Sequence, residues 1–220
     1  MTIPGTINKT AFLLLLCLLP ASFVWGRFFA GQTTVMPFVV AGAIGGLILA
    51  LITAFKMQWA PITSPMYALL EGLFLGGVSA QFEMQFPGIV IQAVALTLCV
   101  TASMLFMYRT GIIKPTEKIK AGIFAATGGV ALIYVLSIIM GFFGVNFPFI
   151  HSTGPLGIGF SLVVIVIASL NLILDFDLID QGAKQGAPKF MEWYGAFALM
   201  VTLVWLYIEI LRLLSKLRKR

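Results

Sequence analysis

Residues 161–180 read SLVVIVIASLNLILDFDLID. Ten almost wholly apolar residues run into Asn171, and the stretch closes on Asp175, Asp177 and Asp180, every aspartate in the chain. An aspartate at the centre of an inserted helix costs about 2.5–3.5 kcal/mol. Either all three stand at the wet end of a spanning helix, or at least one is held inside for a purpose. Two residues turn a helix by about 200°, so Asp175 and Asp177 point to opposite sides. Asp175 shares its face with Asn171, one turn earlier, and continues a polar stripe inward. Asp177 shares a face with Asp180 near the boundary, where the expectation for both is solvent.

The rest of the chain identifies the solvent around that helix. Of 220 residues, 60% are hydrophobic and 10% charged, with a mean hydropathy of +1.04. Soluble domains carry about a quarter charged residues. The composition therefore describes an integral membrane protein. The net charge of +6 is not a nucleic-acid footprint, because the basic residues gather at YRTGIIKPTEKIK (108–120) and the tail LSKLRKR (214–220). Such juxtamembrane clusters set topology and touch anionic lipid. Cys17 and Cys99 both lie in apolar runs and read as packing residues, not a disulfide or metal pair.

A spanning helix needs about 20 mostly apolar residues. Seven runs qualify: 10–30, 36–55, 62–82, 87–108, 119–144, 155–181 and 190–213. The first imitates a signal peptide but lacks a small-x-small cleavage site, and is read as a retained span. Short turn-forming connections separate the runs: GQTTVMP, KMQWAPITSP, FEMQFP, RTGIIKPTEK, NFPFIHSTGP and QGAKQGAPK. No alternation of a β-barrel is visible. The expected architecture is all-α, a seven-transmembrane-helix bundle forming one domain over 1–220. Gly42 with Gly46, and Gly72 with Gly76, sit at the four-residue spacing that lets helices approach closely.

With seven spans, one face holds Lys9, Lys56, Arg109, Lys114, Lys118, Lys120, Lys184 and Lys189, while the other holds Arg27 and the tail. The internal loops favour a cytoplasmic N-terminus, and the tail votes against it.

The acidic residues sort by depth. Glu83 and Glu117 fall in connections, and Glu209 is placed one turn from Arg212, a spacing that permits pairing. Glu71, in PMYALLEGLFLGG, lies on the order of 14 Å into the third run. An ionisable group at that depth is a functional candidate by default. Glu192 opens the last run from the face at which the sixth helix leaves, so its layer adjoins that of Asp175. Glu209 lies roughly 25 Å further along the last helix. If Asp175 has an acidic partner, Glu192 is favoured. Two carboxylates close together in low dielectric share a proton or hold a hard cation between them. His151, the only histidine, reads as an exposed loop residue. No HExxH, GxSxG or P-loop motif occurs, no Cys/His metal set is present, and no enzyme or cofactor is expected.

The seven-run layout, EGLFLG (71–76), LILDFDLID (172–180) and the closing ILRLL (210–214) with its basic tail resemble the Bax inhibitor-1 family. The stretch ILDFDLIDQGAKQGAPKFMEWYGAFALMVTLVWLYIEILRLL (173–214) is most similar to its bacterial, YccA-like branch. The resemblance implies a bundle with the last helix at its centre and three helix pairs around it. It also implies a pH-sensitive calcium leak in a bacterial cytoplasmic membrane, with calcium or protons as the species that pass. In the family, paired aspartates of the sixth and seventh helices control the pore; the first matches Asp175, and the glutamate of the EGL motif matches Glu71. Where the second aspartate stands, ten residues before Arg212, this chain has Thr202. Threonine can hydrogen-bond a protonated Asp175 but supplies no second charge. Asp175 is then partnered by Glu192 or acts alone, or the leak is absent. The helix geometry and the resemblance together single out Asp175, Glu71, Glu192, Thr202 and Asn171 as the ion pathway or pH gate, with Asp175 as a transient calcium contact. Asp177, Glu209 and Arg212 rank below them. The alternative is a non-transporting regulator, since YccA-like relatives are associated with a membrane-bound quality-control protease.

Overall fold

The computed structural model describes residues 1–31, 35–143 and 152–219. Seven long helices account for most of them: α1 (Ile3–Phe29), α2 (Met36–Phe55), α3 (Ala60–Gln85), α4 (Ile89–Arg109), α5 (Glu117–Phe142), α6 (Pro155–Lys184) and α7 (Phe190–Arg218). No strand occurs among the described residues. His151 and most of its connection lie outside them.

Local chemistry explains where the helices begin and stop. Thr2 caps α1 by accepting from the Gly5 amide at 3.1 Å, with Pro4 in the first turn. The helix therefore starts well before residue 10, taking in polar positions that hydropathy alone leaves outside. Between α2 and α3 the chain turns through a single 3₁₀ turn, Met57–Trp59. Most of KMQWAPITSP, expected as a connection, is thus already helical; prolines near a helix start remove donors that would be unused there. Glu83 likewise lies within α3, and Glu117 is the first residue of α5 behind the capping Thr116. At the end of α6, Gly186 adopts φ 63°. The Ala187 and Gly186 amides fold back to the Gly182 and Ala183 carbonyls, closing the helix in the left-handed manner that glycine permits.

Six of the helices, all but α3, are long and apolar enough to cross a membrane. Their large outward side chains, such as Phe55, Leu156 and Phe124, are exposed as lipid-facing groups are. Of these six, α7 buries the largest share of its residues. The difference at α3 has a physical reason. Both α1 and α2 pack against it, and its polar and small residues, Thr63, Ser64, Glu71, Gly72, Gly76 and Ser79, are buried. A helix enclosed by its neighbours is not required to be apolar all round.

The chain divides into two compact units, one of Met1–Pro87 with Asp177–Val201, the other of Gly88–Phe176 with Thr202–Arg220. Both α6 and α7 contribute to each. In the first unit the expected close helix approaches are present. A Cβ at Gly72 would sit 2.2 Å from the Cys17 carbonyl oxygen, and one at Gly76 2.5 Å from that of Ala21. At Gly42 it would meet the Leu70 carbonyl oxygen at 2.5 Å. Lipid offers no hydrophobic drive between helices, so such backbone contact carries the packing. Cys17 is buried beside this contact and Cys99 is exposed on α4; both are free thiols.

Candidate functional site

In the second unit α6 and α7 run antiparallel, and their contacts fix the register. Near one end the buried Lys216 ammonium donates to the Gly157 carbonyl and the Ser161 hydroxyl, both at 2.9 Å. Further along, Asp175 accepts a hydrogen bond from the Thr202 side chain. Ser161, Ala168 and Asp175 recur every seven residues on α6, and Thr202, Glu209 and Lys216 do so on α7. A seven-residue repeat keeps one seam facing a neighbour along two packed helices. Three layers follow: Ser161 with Lys216, Ala168 with Glu209, and Asp175 with Thr202.

Asp175 is half-buried as a residue, yet its Oδ2 is enclosed and has no hydrogen-bond partner in the protein. Of the two neighbours considered for it, Thr202 is the one that bonds it. Thr202 is itself 7% exposed. Asn171 does not turn its amide to Asp175; Nδ2 donates to the Thr127 hydroxyl on α5 and to the Ile167 carbonyl, each at 2.8 Å. The polar stripe read from the sequence therefore ties α6 to α5 at one turn and to α7 at the next.

Glu192 belongs to a different cluster, in the first unit. Its Oε1 accepts from the Thr2 amide at 2.9 Å and the Thr2 hydroxyl at 3.0 Å, and its Oε2 is paired with Lys9. This corrects the expectation of a Glu192–Asp175 pair: both Glu192 oxygens are engaged by the start of α1. Glu192 also sits in the first turn of α7, where the helix dipole favours a negative charge.

Asp177 is a second correction. It is buried, not solvated, one turn beyond the fully enclosed Ile173. The first unit encloses this end of α6, so the helix does not become wet until Asp180, which bonds Lys184 at 2.6 Å. Glu71 is buried on α3 and hydrogen-bonded to Tyr67 one turn before it. Tyr67 in turn packs edge-on against Phe197, with ring centroids 5.1 Å apart.

The pairing of Glu209 with Arg212 is as the spacing suggests, at 2.8 Å. Its setting is not. Glu209 is 2% exposed. Its Oε1 also accepts from the Tyr134 hydroxyl at 2.8 Å, and Arg212 donates to that hydroxyl at 2.6 Å. Oε2 is enclosed and takes no donor from the protein. Tyr134 and Lys216 escaped the sequence reading. Tyr134 carries no pattern that would single it out on α5. Lys216 had a signal, its heptad spacing from Thr202 and Glu209, which its place in the basic juxtamembrane tail LSKLRKR masks.

Among the described residues no three His, Cys, Asp or Glu side chains are grouped to hold a metal ion. The arrangement is that of a helical membrane protein whose interior carries several carboxyl groups, Asp175 and Glu71 bonded to hydroxyls, and Glu192 and Glu209 each to a hydroxyl and a cation of its own unit. The family model described as Bax inhibitor 1 like matches residues 1–219, and the chain belongs to that family. No curated protein matches it significantly.

Proposed function

We propose that this protein is a pH-sensitive cation leak, with calcium as the permeant ion and Asp175 as the controlling group. The observation that carries the reading is the Asp175 carboxyl, bonded to the Thr202 hydroxyl with an enclosed and unpartnered Oδ2. A carboxyl so placed, without a cationic partner among the described residues, exists either with a proton or with a cation beside it. Exchange between those two conditions is what a proton-controlled cation path requires. Thr202 holds the carboxyl in position in the role that a second aspartate has in the resemblance, without adding charge. Glu71, enclosed in the first unit, is the second interior carboxyl we assign to the path.

The same reading takes α3 as a seventh span, since it has the length and is shielded by α1 and α2. It takes α7 as the central helix, supported by its high share of buried residues, and the N-terminus as cytoplasmic, supported by the basic internal loops. The 173–214 stretch supports the bacterial, YccA-like branch and a cytoplasmic-membrane location.

Purified protein in liposomes loaded with a calcium-sensitive dye tests the function. Calcium entry that varies with external pH, and is lost on Asp175→Asn, is expected. Silent liposomes, or a flux indifferent to that substitution, would overturn the leak. Silence together with a stoichiometric membrane-protein partner in pull-down would favour the regulator instead.

A further inference from the structure

At the end of α2, in the first unit, Leu51, Ile52, Phe55, Lys56 and Trp59 line an open groove of about 310 Å³. Its walls follow from the local chain. Leu51 and Phe55 stand four residues apart on one helix face and are 50% and 85% exposed. Lys56 ends the helix, and the 3₁₀ turn Met57–Trp59 brings the indole beside it. The Lys56 ammonium lies 4.5 Å from the Trp59 ring centroid, within cation–π range. From Leu51 to Lys56 the helix rises about 7.5 Å, so the groove runs from the apolar length of α2 to its polar end.

The lining is chemically one-sided. Its only polar side-chain groups are the Lys56 ammonium and the Trp59 indole N–H, and both are donors. Neither is bonded to a carboxylate among the described residues. The ring face attracts the ammonium without cancelling its charge. A fitting occupant therefore carries negative charge and oxygen acceptors at one end and an apolar chain at the other. A peptide would bring amide N–H groups that none of these side chains accepts.

We propose that this groove binds one anionic phospholipid, its phosphate against Lys56 and Trp59 and the start of an acyl chain along Leu51, Ile52 and Phe55. Small-molecule clefts measure about 300–1,000 Å³, so the groove has room for this part of a lipid and not for the whole. Lysine is a compact point charge with three donors, suited to phosphate. Tryptophan at the polar edge of a bilayer keeps its ring among chains and its N–H among headgroup oxygens. Zwitterionic lipids carry the same phosphate but also a cationic group that Lys56 repels, so the preference is for net negative charge. The site uses none of the carboxyl groups assigned to the leak, and it stands whether or not the chain passes ions.

Fluorescence quenching in liposomes tests it. The full chain is reconstituted in mixtures of phosphatidylglycerol and phosphatidylcholine, with one or the other brominated on an acyl chain near the headgroup. The Trp59 signal is the difference between wild type and Trp59→Phe. Brominated phosphatidylglycerol is expected to quench that signal with a preference of about fivefold over brominated phosphatidylcholine, one lysine's share at an anionic surface. Lys56→Gln should bring the preference to about one, while Lys56→Arg, which keeps the charge, should hold it. Quenching that remains in Trp59→Phe comes from the other tryptophans and should not respond to Lys56→Gln. Equal quenching of Trp59 by both lipids, or a preference that survives Lys56→Gln, overturns the proposal. So does a preference lost equally in Lys56→Arg, because shape and not charge would then be its cause. If neither lipid quenches Trp59, a protein surface covers the groove and the lipid is excluded. Added glycerol phosphate should leave the quenching in place; relief by it would make a soluble phosphate ester the occupant and overturn the lipid.

Discussion

Thr202→Val is the sharpest perturbation of the site. Valine matches threonine in shape and removes only the hydroxyl, leaving the Asp175 carboxyl without its protein donor. In water-soluble proteins a hydrogen bond to a charged group contributes about 1.5–3 kcal/mol. Within a membrane the unfolded reference also finds partners, and measured pair couplings average about 0.6 and reach about 1.7 kcal/mol. The Asp175–Thr202 pair belongs in the upper half of that range, since Thr202 is 7% exposed and the carboxyl's Oδ2 has no protein donor of its own. We therefore expect a coupling of about 1 kcal/mol. The assay is a double-mutant cycle of Thr202→Val, Asp175→Asn and the pair, read as unfolding free energies in mixed micelles. Independent sites add to within about 0.3–0.5 kcal/mol. A cycle that closes within that margin would refute the bond, and with it the placement of Asp175 in the seam.

Three further outcomes follow from the packing. Lys9→Met should destabilise by about 3–5 kcal/mol, because it leaves the buried Glu192 carboxylate without its cation; adding Glu192→Gln should recover part of the loss, and a double variant no more stable than the single one would contradict the pairing. Gly72→Ala should cost about 1–3 kcal/mol, as overpacking does, because its Cβ would meet a backbone carbonyl at 2.2 Å; an unchanged melting temperature would mean that α1 and α3 do not approach so closely. A small apolar thiol reagent should modify the exposed Cys99 in the folded protein and reach the buried Cys17 only on unfolding, which mass spectrometry of the labelled peptides reads directly.

Helix number and order were legible because apolar runs of spanning length leave few alternatives. Their ends were not, since Thr2, Pro61 and Gly186 act through hydrogen bonds and φ values that hydropathy ignores. Asp175 could be singled out from helix geometry alone: it stands opposite Asp177 and continues the face of Asn171. What geometry on one helix could not supply was the identity of the neighbours. Depth counting placed Glu192 in a layer beside Asp175, but a layer says nothing of azimuth, and Lys9 and Thr2 of α1 claim that carboxylate. Asp177 departs from expectation for the same reason, because a residue near a helix end is solvated only if no other element covers it.

The seam itself was written in the sequence in a form that spacing can find. Ser161, Ala168 and Asp175 on one helix and Thr202, Glu209 and Lys216 on the other keep a common seven-residue interval. Reading each acidic residue by its own depth hid that pattern, because Glu209 was accounted for by Arg212 and Lys216 by the basic tail. Each explanation holds for one atom only. Arg212 bonds Oε1 of Glu209 and leaves Oε2 enclosed, and the tail places a lysine near the boundary without requiring it to be 4% exposed. A buried ion pair seldom contributes net stability over an apolar replacement. Three polar layers between two helices that lipid would accept as wholly apolar are therefore not accounted for by stability, and they are what the proposed proton-controlled path needs, with Asp175 as one of its members.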